Sequence, residues 1–483
     1  MAQQRMLSFV SVEQETPEKR DAAERRDDFH EIYADYIAEK AAEQSSRCSQ
    51  CGVPFCQSGC PLGNNIPDWL MLTATGRLEE AYEISSATSN MPEVCGRICP
   101  QDRLCEGSCV IEQSGHGTVT IGAVERYITD TAWENGWVRP IKPARNLKQS
   151  VGIIGAGPAG LSAADELRSA GYQVTIYDRH DRAGGLLIYG IPNFKLEKEI
   201  VERRAKRLAD GGVVFKLGVD VGTDVSLAEL RQKHDAVLVA TGVYKSRELT
   251  TPGAEAKGVL KALDYLIAAN RIGLGETIAD FDNGKLNAAK KNVVVIGGGD
   301  TAMDCVRTAI RQGARSVTCL YRRDRANMPG SQREVANAEE EGVNFDWLAA
   351  PLSVIEKKGG GAKAVRAVRM RLGQPDASGR QAPEEIPDSD YDVKADMVIK
   401  ALGFDPEDLP AHFSEPALTV NRWGGVKVDY RTMMTTMEGV FAAGDIVRGA
   451  SLVVWAIKEG RDAAHAIDAF LKARAASARV AAE

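Results

Sequence analysis

Apolar and polar positions along the chain follow one order that returns a second time. Residues 151–154 are apolar and run into a glycine-rich turn. A helical period covers 161–170, and a second apolar run at 173–177 stops at Asp178. Further on come an apolar run at 293–296, three glycines, a helical period from Thr301 and an apolar run at 316–321. Short apolar runs bounded by glycine read as buried strands, and the 3.6-residue period between them as a covering helix. Each stretch therefore predicts one βαβ unit. Two such units place the chain in the α/β class, with two Rossmann-like, doubly wound dinucleotide-binding domains.

The remaining pattern fills in around them. Phe29, Ile32, Tyr33, Tyr36 and Ile37 share one face at helical spacing, and residues 66–83 (Trp69, Leu70, Leu72, Leu78, Tyr82) read as one helix. The N-terminal part is thus expected to be mainly helical. Residues 136–150 carry two prolines and four basic residues with little periodicity and read as a linker. Strands are expected at 213–221, 236–240, 395–402 and before Gly444, with a half-exposed strand around Val368, Met370 and Leu372. Residues 376–390 read as a proline- and acid-rich loop, and 452–475 as a helix that Ser451 can cap. Ala401-Leu402-Gly403 echoes Ala240-Thr241-Gly242, so the chain is expected to return to its first nucleotide domain. The partition is a helical domain at 1–145, a first dinucleotide domain at 146–253 with 404–483, and a second one inserted at 254–403.

Composition narrows the class. A chain of 483 residues with 44% hydrophobic and 26% charged positions suits about three globular domains. A net charge of −7 argues against a nucleic-acid or anionic-membrane surface. The first residues, MAQQRMLSFVSVEQ, hold no signal-peptide core, and no apolar run approaches the ~18 residues of a membrane span. A cytoplasmic protein is expected.

Both glycine turns carry chemistry. In Gly155-Ala156-Gly157-Pro158-Ala159-Gly160, the first glycine permits the turn. The second lets backbone approach a pyrophosphate, and the third lets helix and strand pack closely. Asp178 stands where a carboxylate meets a ribose hydroxyl. The second turn, Gly297-Gly298-Gly299-Asp300-Thr301, is followed after its next strand by Arg322 and Arg323. Arginines there can clamp a 2′-phosphate, which predicts NADPH over NADH; Arg333 is a weaker third candidate. One unit would hold a flavin and the other deliver nicotinamide. Gly444-Asp445 before the last helix offers a place for a flavin ribityl or phosphate. The positive start of that helix would favour charge on reduced flavin.

Eight of the ten cysteines lie between Cys48 and Cys109: Cys48, Cys51, Cys56 and Cys60-Pro61, then Cys95, Cys99-Pro100, Cys105 and Cys109. In a reducing compartment such crowding means metal or redox chemistry. Four thiolates on a tight loop suit an iron–sulfur cluster, and Cys-Pro has the look of a ligand that crosses to a second cluster. Two 4Fe–4S clusters are expected; structural zincs, or one degraded cluster, are the alternatives. Cys305 and Cys319 read as core.

Taken together, the clustered cysteines, VGIIGAGPAG, ATG, GGGDTAMD, YRR, ALGFDP and AAGD before SLVVWAI resemble the family of small (β) subunits of bacterial NADPH-dependent glutamate synthases. The N-terminal part of dihydropyrimidine dehydrogenase and the large subunit of NADH-dependent ferredoxin:NADP oxidoreductases share the module. GGGDTAMDC has no CxxC pair, which argues against thioredoxin reductase chemistry. The resemblance implies FAD along Gly155 to Gly160, with Asp178 and Arg179 at its ribose end. Gly185, Leu186, Lys195, Ala240 to Gly242, Gly403, Gly444, Asp445, Leu452 and Val453 would lie nearby. It implies NADPH on Gly297 to Thr301 with Arg322 and Arg323. It also implies one cluster on Cys60, Cys99, Cys105 and Cys109, and another on Cys48, Cys51 and Cys56 with Glu125 or Cys95 as fourth ligand. Electrons would pass through the clusters to the FMN of a large (α) partner subunit, which also carries the glutaminase site, in a hetero-oligomer. A ferredoxin-linked NADPH oxidoreductase or transhydrogenase subunit is the alternative.

Overall fold

The computed structural model describes residues 6–480 except 377, 378 and 380. Two five-stranded parallel sheets organise it. In the first, Ser150–Ile154 lies between Gln173–Asp178 and Ala236–Val239, with Val214–Leu217 and Val440–Ala442 at the edges. In the second, Asn292–Ile296 lies between Ser316–Tyr321 and Met397–Lys400, with Asn344–Trp347 and Val259–Lys261 outermost. Each glycine turn thus leaves the central strand where connections diverge to either side, the point at which doubly wound sheets bind ligands. Helices Pro158–Ser169 and Asp300–Arg311 start at those turns. Both central strands are buried almost throughout, as strands covered on two faces must be. The α/β architecture matches the periodicity.

The strand Ala362–Pro375 pairs antiparallel with Ala349–Glu356, Gln381–Glu385 and Tyr391–Lys394, a four-stranded sheet beside the second unit. The expected loop at 376–390 therefore contains a strand, Gln381–Glu385, held by its ladder to Met370–Leu372 despite its proline and acids; residues 377, 378 and 380 of that stretch lie outside the described residues.

Several N-terminal expectations change. Residues 29–37 form no helix, because their backbone pairs with 18–20 instead: Arg20 N–H donates to Ile32 O and Ala34 N–H to Glu18 O. Their apolar side chains go to separate neighbours, Phe29 to Phe194 and Tyr36 to Thr120. The stretch 66–83 is two helices, Ile66–Ala74 and Leu78–Thr88, broken where Gly76 adopts φ +76°. The strand expected at 213–221 shortens to Val214–Leu217, ended by Gly218 at φ +69°. The proline-rich stretch 136–149 is irregular but not a free tether, since Val138 and Ile141 are buried and Arg207 Nε holds the Arg139 carbonyl. Helix Val453–Val480 runs longer than expected and packs along Pro158–Ser169.

Candidate functional site

One cavity of about 520 Å³ opens where the two sheets and the helical N-terminal part meet. Its first wall is the turn after Ile154. Gly155 takes φ +111°, and a Cβ there would collide with the Ala240 carbonyl oxygen; nothing lies within 4 Å of a Cβ at Gly157. Gly160 lies directly against the Gly155 carbonyl, so only glycine fits. Ala156 is buried, and its N–H donates to Asp178 Oδ2 at 2.7 Å while Oδ1 accepts from His180 N at 2.8 Å. Asp178 thereby fixes the turn at the cavity wall. Pro158 and Ala159 at the helix start, with Gly185 and Leu186, line the same wall.

Beside this wall, touching it at the Ala240 carbonyl, lie Ala240, Thr241 and Gly242, then Gly444, Asp445, Leu452 and Val453. Thr241 Oγ1 is buried without a hydrogen-bond partner. Burial pushes the Asp445 carboxyl up to about 7. An open glycine cradle, an orphaned hydroxyl and a desolvated carboxyl fit a bound dinucleotide such as FAD. Arg179 sits outside the main cavity, in a smaller side pocket beyond Asp178, paired with Glu407 at 3.0 Å and stacked 4.7 Å above the Tyr244 ring.

The second unit repeats the geometry. Gly297 packs on the Ala401 carbonyl as Gly155 does on Ala240, and Gly403, like Gly242, takes a positive φ. Gly298 lies under the Tyr321 ring, Gly299 faces open space, and Asp300 and Thr301 reach the cavity. Arg322 is exposed at the end of Ser316–Tyr321, and beside it Arg323 Nε is buried without a partner, which suits a 2′-phosphate. Arg333 is occupied elsewhere: it donates to Gln101 Oε1 and Glu106 Oε2, each at 2.9 Å.

The cysteines fall into two sets. Cys48, Cys51, Cys56 and Cys109 line one small pocket. Cys60, Cys95, Cys99 and Cys105 gather with Glu125, and burial and mutual repulsion raise their thiol pKa values. Cys109, expected with Cys60, Cys99 and Cys105, precedes Val110–Gln113 and lies by Cys48 and Cys56 instead. Glu125, expected with Cys48, Cys51 and Cys56, likewise lies near Cys60, Cys99 and Cys105. Burial pushes the Glu125 carboxyl to about 8, with Ser85 Oγ and Asn64 Nδ2 both at 3.4 Å. Cys95 and Cys99 are neighbours, and the contact with Cys99 raises the Cys95 thiol. Two sets of soft donors fit iron–sulfur clusters. Among the described residues no three His, Cys, Asp or Glu converge on one metal ion. Cys99 belongs to the cavity wall, so the second set adjoins the nucleotide cavity directly.

Residues 25–137 match the family described as dihydropyrimidine dehydrogenase domain II, 4Fe-4S cluster, and 149–460 match pyridine nucleotide-disulphide oxidoreductase. The glutamate synthase NADPH small chain of Azospirillum brasilense is 66% identical over 484 residues, covering 100% of both chains. The chain belongs to the family of NADPH glutamate synthase small chains. The member from Escherichia coli K12 is 45% identical over 96% of this chain and 98% of its own. Mycobacterium tuberculosis FprA in complex with NADPH shares the fold, with a TM-score of 0.58 at 20% identity over 70% of this chain and 86% of that one. Membership makes the chain an NADPH-dependent oxidoreductase whose cofactors are FAD, NADPH and 4Fe–4S iron–sulfur.

Sequence reasoning missed the third wall. Gln14, Lys19, Glu31, Tyr33, Arg97 and Arg126, all N-terminal, line the cavity. No motif marks them, because long-range packing alone brings them there. Lys195, expected beside the flavin, lines the cavity but pairs across it with Asp304. Asp304 closes GGGDTAMD and was the available signal.

Proposed function

We propose that this chain is the electron-input subunit of glutamate synthase, oxidising NADPH and sending electrons to the FMN of a large (α) subunit that makes glutamate from glutamine and 2-oxoglutarate. The observation that carries this reading is one cavity bounded by the Gly155 turn, the Thr301 helix start and Cys99. Gly155 to Gly160 with Asp178 bind one dinucleotide; Gly297 to Thr301 with Arg322 and Arg323 bind the other and select its 2′-phosphate. Bound FAD supplies the conversion of a two-electron hydride into single electrons. The protein's part is orientation and exclusion of water. The start of helix Val453–Val480, close to Asp445, favours negative charge.

Cys48, Cys51, Cys56 and Cys109 hold one 4Fe–4S cluster, and Cys60, Cys99 and Cys105 with Glu125 hold the other; Cys95 is the competing fourth ligand. The cluster domain spans 1–145, the FAD domain 146–253 with 404–483, and the NADPH domain 254–403. The chain works in the cytoplasm. No helix among the described residues is long and apolar enough to cross a membrane.

The test uses the protein with its large partner. NADPH oxidation should require glutamine and 2-oxoglutarate together and yield two glutamates per NADPH, and this activity should vanish when the partner is removed. Oxidation indifferent to both substrates but rapid with ferredoxin would overturn the assignment and leave a ferredoxin-linked reductase.

A further inference from the structure

The segment from Cys99 to Cys105 packs on the second nucleotide unit as well as carrying cysteines at both ends. Arg103, on the turn Gln101–Arg103, donates from Nη1 to the Pro329 carbonyl at 2.5 Å, and its Nη2 lies 3.8 Å from Asp300 Oδ2. Both contacts flank the glycine turn. Asp300 begins helix Asp300–Arg311, and Gly330 N–H donates to Gly298 O at 2.9 Å, which lays Pro329 beside the turn. Arg333 fixes the same segment from the other side through Gln101 and Glu106.

A pyrophosphate at this helix start would meet the Asp300 carboxylate, a like charge that needs an offsetting cation. The neighbouring cations are engaged: Lys195 with Asp304 at 2.9 Å and Glu334 at 3.6 Å, and Arg333 with Glu106. The Arg103 side chain is 41% exposed, holds its one carboxylate loosely, and has guanidinium N–H groups to spare. We propose that Arg103 is a nucleotide-binding residue that takes the pyrophosphate of NADPH, so that the site is built from two domains. The inference rests on reading helix Asp300–Arg311 as the NADPH site. It ties nucleotide occupancy to the backbone between Cys99 and Cys105.

The holoenzyme is titrated calorimetrically with NADP+, with 2′-phospho-ADP-ribose and with 2′-AMP, which lacks the pyrophosphate. Arg103→Gln should weaken the first two about tenfold and leave 2′-AMP unchanged, with KM for NADPH rising and kcat holding. Arg103→Lys keeps the charge but loses the planar fork, and should weaken the same two ligands by a smaller factor. If Arg103→Gln loses iron or flavin, Arg103→Lys carries the comparison. Unchanged affinity for the pyrophosphate ligands, or equal weakening of 2′-AMP, overturns the role of Arg103. Wild-type protein that binds none of the three overturns the nucleotide-site reading itself.

Discussion

Lys195 Nζ lies 2.9 Å from Asp304 Oδ1, and this buried pair joins the loop after the first nucleotide unit to the helix of the second. The side chains are 13% and 9% exposed. Burial pushes Asp304 up to about 6, while the facing carboxylates raise Lys195. Removing one member strands a buried charge, which costs about 3–5 kcal/mol. Lys195→Met should therefore lower the thermal midpoint and slow flavin reduction by NADPH. Lys195→Met with Asp304→Leu should recover most of the stability, because two apolar side chains replace the pair, but not the rate. A double variant as unstable as the single one, or one reduced at the wild-type rate, would show that the pair does not set the geometry between the units.

Gly460 predicts a second effect. It sits in helix Val453–Val480 where a Cβ would strike the Ala159 carbonyl. That contact holds the last helix against the start of Pro158–Ser169, beside the Gly155 and Gly444 turns. Gly460→Ala must push the helices apart, at about 1–3 kcal/mol for an overpacked core. The purified variant should carry less FAD per chain, read from its visible absorbance, and a lower thermal midpoint. Full flavin content at unchanged midpoint would mean that the helices yield freely.

How far these features were legible differs by their physical origin. The βαβ units were readable because strand burial, glycine conformation and helix period are local properties, and Gly155, Gly297 and Asp178 stand where spacing put them. Cys305 and Cys319 are fully buried, as their apolar surroundings implied. The 29–37 segment misled because an i, i+3, i+4 pattern cannot reveal that its backbone bonds go to residues 18–20. Gly460 and Arg103 were invisible for a related reason: each acts on a residue far away in sequence, Ala159 and Pro329. Cys109 was grouped with Cys60, Cys99 and Cys105 on family resemblance, and local spacing does not say which way a thiol turns at the end of a loop.

Glu125 supplies a prediction about the second cysteine set. Its carboxyl is buried among Cys60, Cys99 and Cys105 with only two long hydrogen bonds, an environment that disfavours the charged form unless a cation is bound. Iron would offset that cost. Glu125→Ala should lose about half the iron and the electron paramagnetic resonance signal of one cluster, with the flavin spectrum unchanged. Cys95→Ser should retain both signals. The reverse pattern would make Cys95 the fourth ligand.

His234 sets a pH dependence. Its ring lies against Gly152, Nε2 is 3.1 Å from Tyr177 Oη and Nδ1 is 3.2 Å from Ser150 Oγ. Burial, with the Lys233 ammonium adding to it and Asp235 opposing, pulls the imidazole down from 6.5 to about 4. The native protein thus keeps His234 neutral at a pH where the unfolded chain binds a proton. Its contribution to stability is complete above pH 6.5 and is lost as pH falls through about 4. Because Tyr177 precedes Asp178 on the same strand, FAD should be released in the same window. His234→Gln, which keeps a hydrogen-bonding side chain without the titration, should flatten the fall in thermal midpoint between those values and delay the rise in free-flavin fluorescence. Identical acid profiles for the two proteins would place the acid sensitivity at other groups, such as the ion pair of Asp304 and Lys195.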